Sequence, residues 1–161
     1  MGWMTDETGL GKTAANFVAL TPLTHLRRAR DVFADHTALV YGNTALTYAE
    51  YADRISQLAH ALTGLGVAPG DVVSTLLPNI PAQSEASFAA PACGAVVNTI
   101  NTRLDADTIA YIFDHSGAKV ALIDSQFIAL AEAAITLMTT PAPILIEVPD
   151  AVAGIPATGR H

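Results

Sequence analysis

The chain has 161 residues, enough for one domain with a real core, because about 150 residues bury roughly 70% of their extended surface on folding. Charged residues are 14% and apolar residues 51%, a balance that suggests a surface partly covered by further protein. A net charge of −7 argues against nucleic-acid binding, which needs clustered Lys and Arg, and the uncharged windows 86–102 and 133–146 are too broken by Pro, Gly and Asn to span a membrane.

Residues 1–15 carry no apolar periodicity and read as a disordered lead before a folded part at 16–148. Thr21-Pro22 predicts a helix start, Thr as N-cap and Pro at the first helical position, with Leu23, Leu26 and Phe33 on one face. Arg27, Arg28 and Arg30 share that helix with Asp31 and Asp35 and read as a solvated face. Residues 38–41 predict a strand, Gly42-Asn43 a turn and 44–46 its hairpin partner.

Thr47 and Glu50 then form a capping box, in which each side chain satisfies a free backbone N–H. Tyr48, Tyr51, Ile55, Leu58, Leu62 and Leu65 follow at helical spacing, and Gly64 and Gly66 end the helix. Strands at 72–77, 95–98, 120–124 and 144–148 alternate with helices at 80–93, 105–116 and 127–138. The alternation predicts an α/β fold: an open, mostly parallel sheet of βαβ units with helices on both faces, preceded by the short hairpin. Residues 149–161 read as a tail or a truncation point.

Asp6 to Thr13 ends in Gly-Lys-Thr as a phosphate loop does, but Asp6 replaces the first Gly and no apolar strand precedes it. Gly64-Leu65-Gly66 imitates a dinucleotide fingerprint, yet these glycines close a helix instead of opening one. The histidines lack ligand spacing. Cys93, the single cysteine, reads as a small core residue, rules out an internal disulfide and points to a reducing, cytoplasmic compartment. The start lacks a basic region followed by an apolar run, so no secretory signal is expected.

Pro78 stiffens a strand exit, and Asn79 is expected to cap the helix beginning at Ile80. Arg103 lies in a loop after the strand ending near Asn98, on the side where parallel sheets bind ligands, and its fork of donors suits phosphate. The competing reading pairs Arg103 with Asp105 or Asp107.

Four blocks carry a resemblance: Leu46-Thr47-Tyr48-Ala49-Glu50, Pro78-Asn79-Ile80-Pro81-Ala82, Asn98 to Asp105, and His115-Ser116-Gly117-Ala118-Lys119. Over roughly 16–148 the chain resembles the amino-terminal part of AMP-forming acyl-CoA ligases of the adenylate-forming superfamily. The resemblance implies ATP, Mg²⁺ and CoA as cofactors of the complete enzyme, and a short, medium or substituted fatty acid as substrate. The acid is activated to an acyl-adenylate and then passed to the CoA thiol. The resemblance also implies that Arg103 contacts a CoA phosphate, while Pro78, Asn79 and Asn98 are structural loop markers without a catalytic duty. The family's Gly/Ser/Thr-rich phosphate loop, magnesium acid, ribose Asp and carboxy-terminal Lys have no counterpart between Met1 and His161. The expectations are therefore no catalytic residue and no metal site in this chain, inactivity and no tight cofactor binding alone, and self-association or docking to a remainder. The alternative is a CoA-binding, regulatory or split-subunit module on the same scaffold.

Overall fold

Thr21 and Pro22 start the first helix, α1 (Pro22–Val32), and the Thr21 hydroxyl accepts the Thr24 N–H. The computed structural model describes residues 11–15 and 17–161. Of the Asp6–Thr13 stretch, residues 6–10 lie outside the described residues, and Gly11, Lys12 and Thr13 open no helix, since α1 begins at Pro22. The apolar face of α1 is incompletely covered: Leu23 and Leu26 are half-buried and Phe33 is 43% exposed. Arg27 and Arg30 pair with Asp31 and Asp53 at the exposed surface.

Strands β1 (Thr37–Tyr41) and β2 (Thr44–Thr47) form the expected hairpin, with Gly42 in the left-handed region at φ +56. Helix α2 (Tyr48–Gly64) carries the complete capping box. The Glu50 N–H donates to Thr47 Oγ1 at 3.2 Å, and the Thr47 N–H donates to Glu50 Oε2 at 2.8 Å. Its stripe is in register up to Leu62, because Tyr51, Ile55 and Leu62 are buried and Leu58 half-buried, whereas Leu65 falls past the helix end and is exposed. Gly66, at φ +85, turns the chain out of the helix end, as the closing-glycine reading requires.

Strands β3 (Val72–Leu76), β4 (Val96–Thr99), β5 (Ala118–Asp124) and β6 (Ile144–Val148) form one parallel sheet in the order β4-β3-β5-β6. Helices α3 (Pro81–Ala92), α4 (Ala106–Ser116) and α5 (Ile128–Leu137) connect them, α5 after a 3-10 turn at Ser125–Phe127. Successive strand residues face opposite layers. Leu76, Ala121, Ile123 and Leu145 pack with Ile109, Phe113 and Ile128 of α4 and α5. Val73 and Val120 pack with Tyr51, Ile55 and Leu62 of α2 and Ala89 and Ala90 of α3. Both faces are thus covered by helices, and β5, central and almost wholly buried, carries in residues 120–123 the continuous apolar run such a position demands.

Asn79 does not cap α3. The N-cap is Ile80, which offers no side-chain acceptor, and Pro81 is the first helical residue. Had Asn79 been the cap, Ile80 would be the first helical residue, but the Pro81 ring disfavours helical backbone at the residue before it, and Ile80 is extended at φ −113 and ψ 165. The Ile80 N–H instead donates to the Pro78 carbonyl at 2.8 Å, and the Gln83 N–H returns to the Ile80 carbonyl at 3.0 Å. Cys93 closes the other end of α3, its thiol donating to the Ala59 carbonyl at 3.1 Å.

Helix α3 is fixed to α2 by polar contacts as well as packing. Arg54 Nε and Nη2 donate to the two oxygens of buried Glu85 at 2.5 and 3.2 Å, and the Tyr51 and Ser84 hydroxyls lie 2.5 Å apart. The Glu85 hydrogen bond raises the Arg54 pKa.

On the opposite face Asp114 of α4 takes the Thr139 and Thr140 N–H groups at 2.9 and 3.0 Å, and both hydroxyls at 2.9 and 2.7 Å. The Thr140 hydroxyl, then the Thr139 N–H, hold its pKa at about 2 instead of 3.8. Glu147 is likewise held at about 2, chiefly by the Thr158 N–H. For a carboxylate depressed on folding, stability is fully present above the unfolded pKa near 4 and is lost as pH falls towards 2. Acid unfolding followed by circular dichroism is therefore expected to steepen between about pH 4 and pH 2. Asp114→Asn should flatten that slope and lower the Tm at neutral pH by roughly 2–4 °C. A wild-type slope in the variant would make the Asp114 cluster energetically silent.

Residues after β6 fold back on the domain. Asp150 accepts the Val152 and Ala153 N–H groups through Oδ1 and the Tyr41 hydroxyl through Oδ2 at 2.5 Å, which raises the Tyr41 pKa. Val152 sits over Gly42, where a Cβ would meet its Cγ1 at 2.5 Å. Glu147 binds the Thr158 and Gly159 N–H groups, and Glu132 of α5 pairs with Arg160 and His161.

Candidate functional site

The sheet order decides where a ligand would sit. The chain passes from β3 to β4 on one side, then crosses back to β5 on the other, so the winding reverses between β3 and β5. Ligands of open parallel sheets lie beyond the carboxyl ends of the strands, at such a reversal. Four connections meet that edge: 77–80 after β3, 100–105 after β4, the 3-10 turn after β5 and Pro149-Asp150 after β6.

The four sequence-predicted residues divide between this edge and the sheet itself. Asn98 is a sheet residue, its Nδ2 donating at 3.0 Å to Ser74 Oγ on the neighbouring strand. Pro78 and Asn79 form the turn into α3. Asn79 is exposed and lines a cavity of about 320 Å³ with Tyr41, Ile80 and Gln83.

Arg103 sits on a loop that other residues hold. The Ile100 N–H donates to the Thr75 carbonyl at 2.8 Å, and Asn101 Oδ1 accepts the Arg103 N–H at 3.0 Å. Asp105 caps α4 by accepting the Thr108 N–H at 2.9 Å, and its pKa is lowered first by the Thr108 hydroxyl and then by that N–H. The Arg103 side chain is exposed and makes no ion pair among the described residues, with Asp105 or Asp107 or any other. The self-pairing expectation is therefore corrected: Asp105 turns one oxygen to the helix start, and neither it nor Asp107 pairs with Arg103.

Sequence reasoning missed Asp124. It ends β5 beside the reversal and is fully buried, with Oδ1 accepting the Gln126 N–H at 2.9 Å and Oδ2 without a partner among the described residues. On the adjacent strand Thr75 Oγ1 is also buried and unpartnered among those residues. The available signal was an acid closing the apolar run Val120-Ala121-Leu122-Ile123. These donor sets do not fit magnesium, because Asp150 is spent on Tyr41 and two backbone N–H groups and Asp124 has one free oxygen. Among the described residues no group of three or more His, Cys, Asp or Glu is placed to hold a metal. An exposed, unpaired guanidinium does fit a phosphate. The largest cavity described, about 630 Å³ and mostly apolar, lies against α1, α2 and α3 and is lined by none of the edge loops.

A sequence model of the family described as AMP-binding enzyme matches residues 26–156. The chain belongs to the AMP-binding enzyme family. It is 40% identical over 151 residues to the acetate/butyrate–CoA ligase AAE7, peroxisomal, of Arabidopsis thaliana, covering 90% of this chain and 26% of that protein. It is 44% identical over 126 residues to the butyrate–CoA ligase AAE11, peroxisomal, of the same plant, covering 78% and 22%. The chain therefore spans about a quarter of the length of these relatives. Its fold matches that of the anthranilate CoA ligase AuaEII in complex with anthranoyl-AMP, with a TM-score of 0.74 at 24% identity, over 91% of this chain and 30% of that one. No helix among the described residues is long and apolar enough to cross a membrane.

Proposed function

We propose that this chain supplies the amino-terminal subdomain of an AMP-forming acid–CoA ligase acting on a short or medium carboxylic acid. ATP would activate the acid to an acyl-adenylate with loss of pyrophosphate, and the CoA thiol would then displace AMP. The role proposed for this chain lies in the second half-reaction, with Arg103 contacting a phosphate of the CoA nucleotide. The observation that carries it is an exposed guanidinium, unpaired among the described residues, on a loop anchored by its own backbone and neighbours. ATP and Mg²⁺ would be handled by residues outside this chain, since adenylation needs preorganised donors around the transferred phosphate. The compartment proposed is the cytoplasm, from the single cysteine, although the two plant relatives are named peroxisomal.

The chain alone is accordingly expected to give no ATP–pyrophosphate exchange with acetate, butyrate or longer acids. The same preparation should self-associate in sedimentation and bind a hydrophobic dye, because Phe17, Val18 and Leu20 are 47, 72 and 75% exposed. Exchange clearly above a blank would overturn the reading. A dye-silent monomer without exchange would favour a CoA-binding module instead, a role to which the Arg103 loop, complete within this chain, also lends itself.

A further inference from the structure

Arg103 has Asp105 two residues away and Asp107 four away, yet its guanidinium pairs with neither. Two arrangements hold the loop around it. Asp105 is occupied as the α4 cap, its Oδ1 on the Thr108 N–H at 2.9 Å. Asn101 folds the loop back on itself, its side-chain oxygen on the Arg103 N–H at 3.0 Å and its carbonyl on the Leu104 N–H at 3.4 Å. With Ile100 buried and Leu104 packed against the core formed with α4, the backbone on both sides of Arg103 is fixed without using its side chain.

We infer that Asn101 is a positioning residue for Arg103: its side-chain turn sets the backbone at Arg103 while the neutral amide leaves the guanidinium free for a phosphate monoester. The inference rests on the phosphate-contact reading of Arg103. The side-chain chemistry at position 101 matters in two separable ways. Asn and Asp both form this turn, whereas Ala cannot. Asp, however, would place a carboxylate beside Arg103, where it would compete with an anionic ligand for the same donors.

The experiment is an NMR titration of the ¹⁵N-labelled 161-residue chain with adenosine 3′,5′-bisphosphate, the nucleotide end of CoA, at low salt. Wild type should shift the amides of residues 100–105 on titration, and Arg103→Ala should abolish the shifts. Asn101→Ala should weaken binding about tenfold and speed hydrogen exchange at the Arg103 amide, as a lost turn requires. Asn101→Asp should keep slow exchange at that amide and an unchanged Tm, yet bind at least about tenfold more weakly at low salt, a gap to wild type that narrows as salt rises. A purely structural role would leave Asn101→Asp binding as wild type. If Arg103→Ala abolishes binding while both Asn101 variants bind normally, the positioning role is wrong and the Arg103 reading stands. If wild type shows no shift at 100–105, or Arg103→Ala shifts as wild type does, the phosphate reading fails and the inference with it.

Discussion

Leu62→Asp is expected to abolish the cooperative thermal transition of the domain. Leu62 is completely buried on α2, in the cluster that joins α2 to α3 and to Val73 and Val120 of the sheet. Truncating a buried Leu to Ala alone costs about 2–5 kcal/mol. A carboxylate adds the desolvation of a polar group with no partner, several kcal/mol more. Domains are stable by about 5–15 kcal/mol in all, so the sum removes most or all of the folded population. Circular dichroism against temperature is the measurement, with Leu65→Asp as control, since Leu65 is 38% exposed beyond the helix end. A Leu62→Asp protein melting as wild type would mean that the α2 stripe does not face the sheet.

Arg103→Ala is expected to separate the two half-reactions of the assembled ligase. A well-placed charge-assisted contact to phosphate contributes roughly 1.5–3 kcal/mol, so CoA binding should weaken by about one to two orders of magnitude. Adenylate formation should hardly change, because CoA enters after the adenylate is made. Pyrophosphate exchange and thioester formation measured on one variant decide the matter. Equal losses in both, or none in thioester formation, would leave Arg103 with no part in holding CoA.

Local rules in the sequence located most elements, because each needs only neighbouring residues. The Thr47–Glu50 capping box, the Thr21-Pro22 start and the alternating strands and helices all appear where short-range patterns place them. The Asn79 expectation failed through one covalent detail, the proline two residues on, whose ring keeps Ile80 extended and so outside the helix. What could not be read was pairing across distance. The reversal between β3 and β5, the Arg54–Glu85 link, the Asp114 cluster and the unpaired Asp124 oxygen each depend on residues brought together by the finished fold. At the candidate site the loop was legible, and so was Arg103 as its cation. Whether Asp105 would claim that cation was not, since helix cap and ion-pair partner are equally compatible with the same sequence.

The bond from Tyr41 to Asp150 spans 109 residues of chain. A chain grows from its amino end at about 5–20 residues per second, so the hairpin waits roughly 5–20 s for the residues that tie it down. Throughout that interval Gly42 lacks the Val152 side chain that later rests against it. The segment that secures the hairpin therefore emerges well after it, and the early hairpin spends that interval without the partner it has in the folded domain.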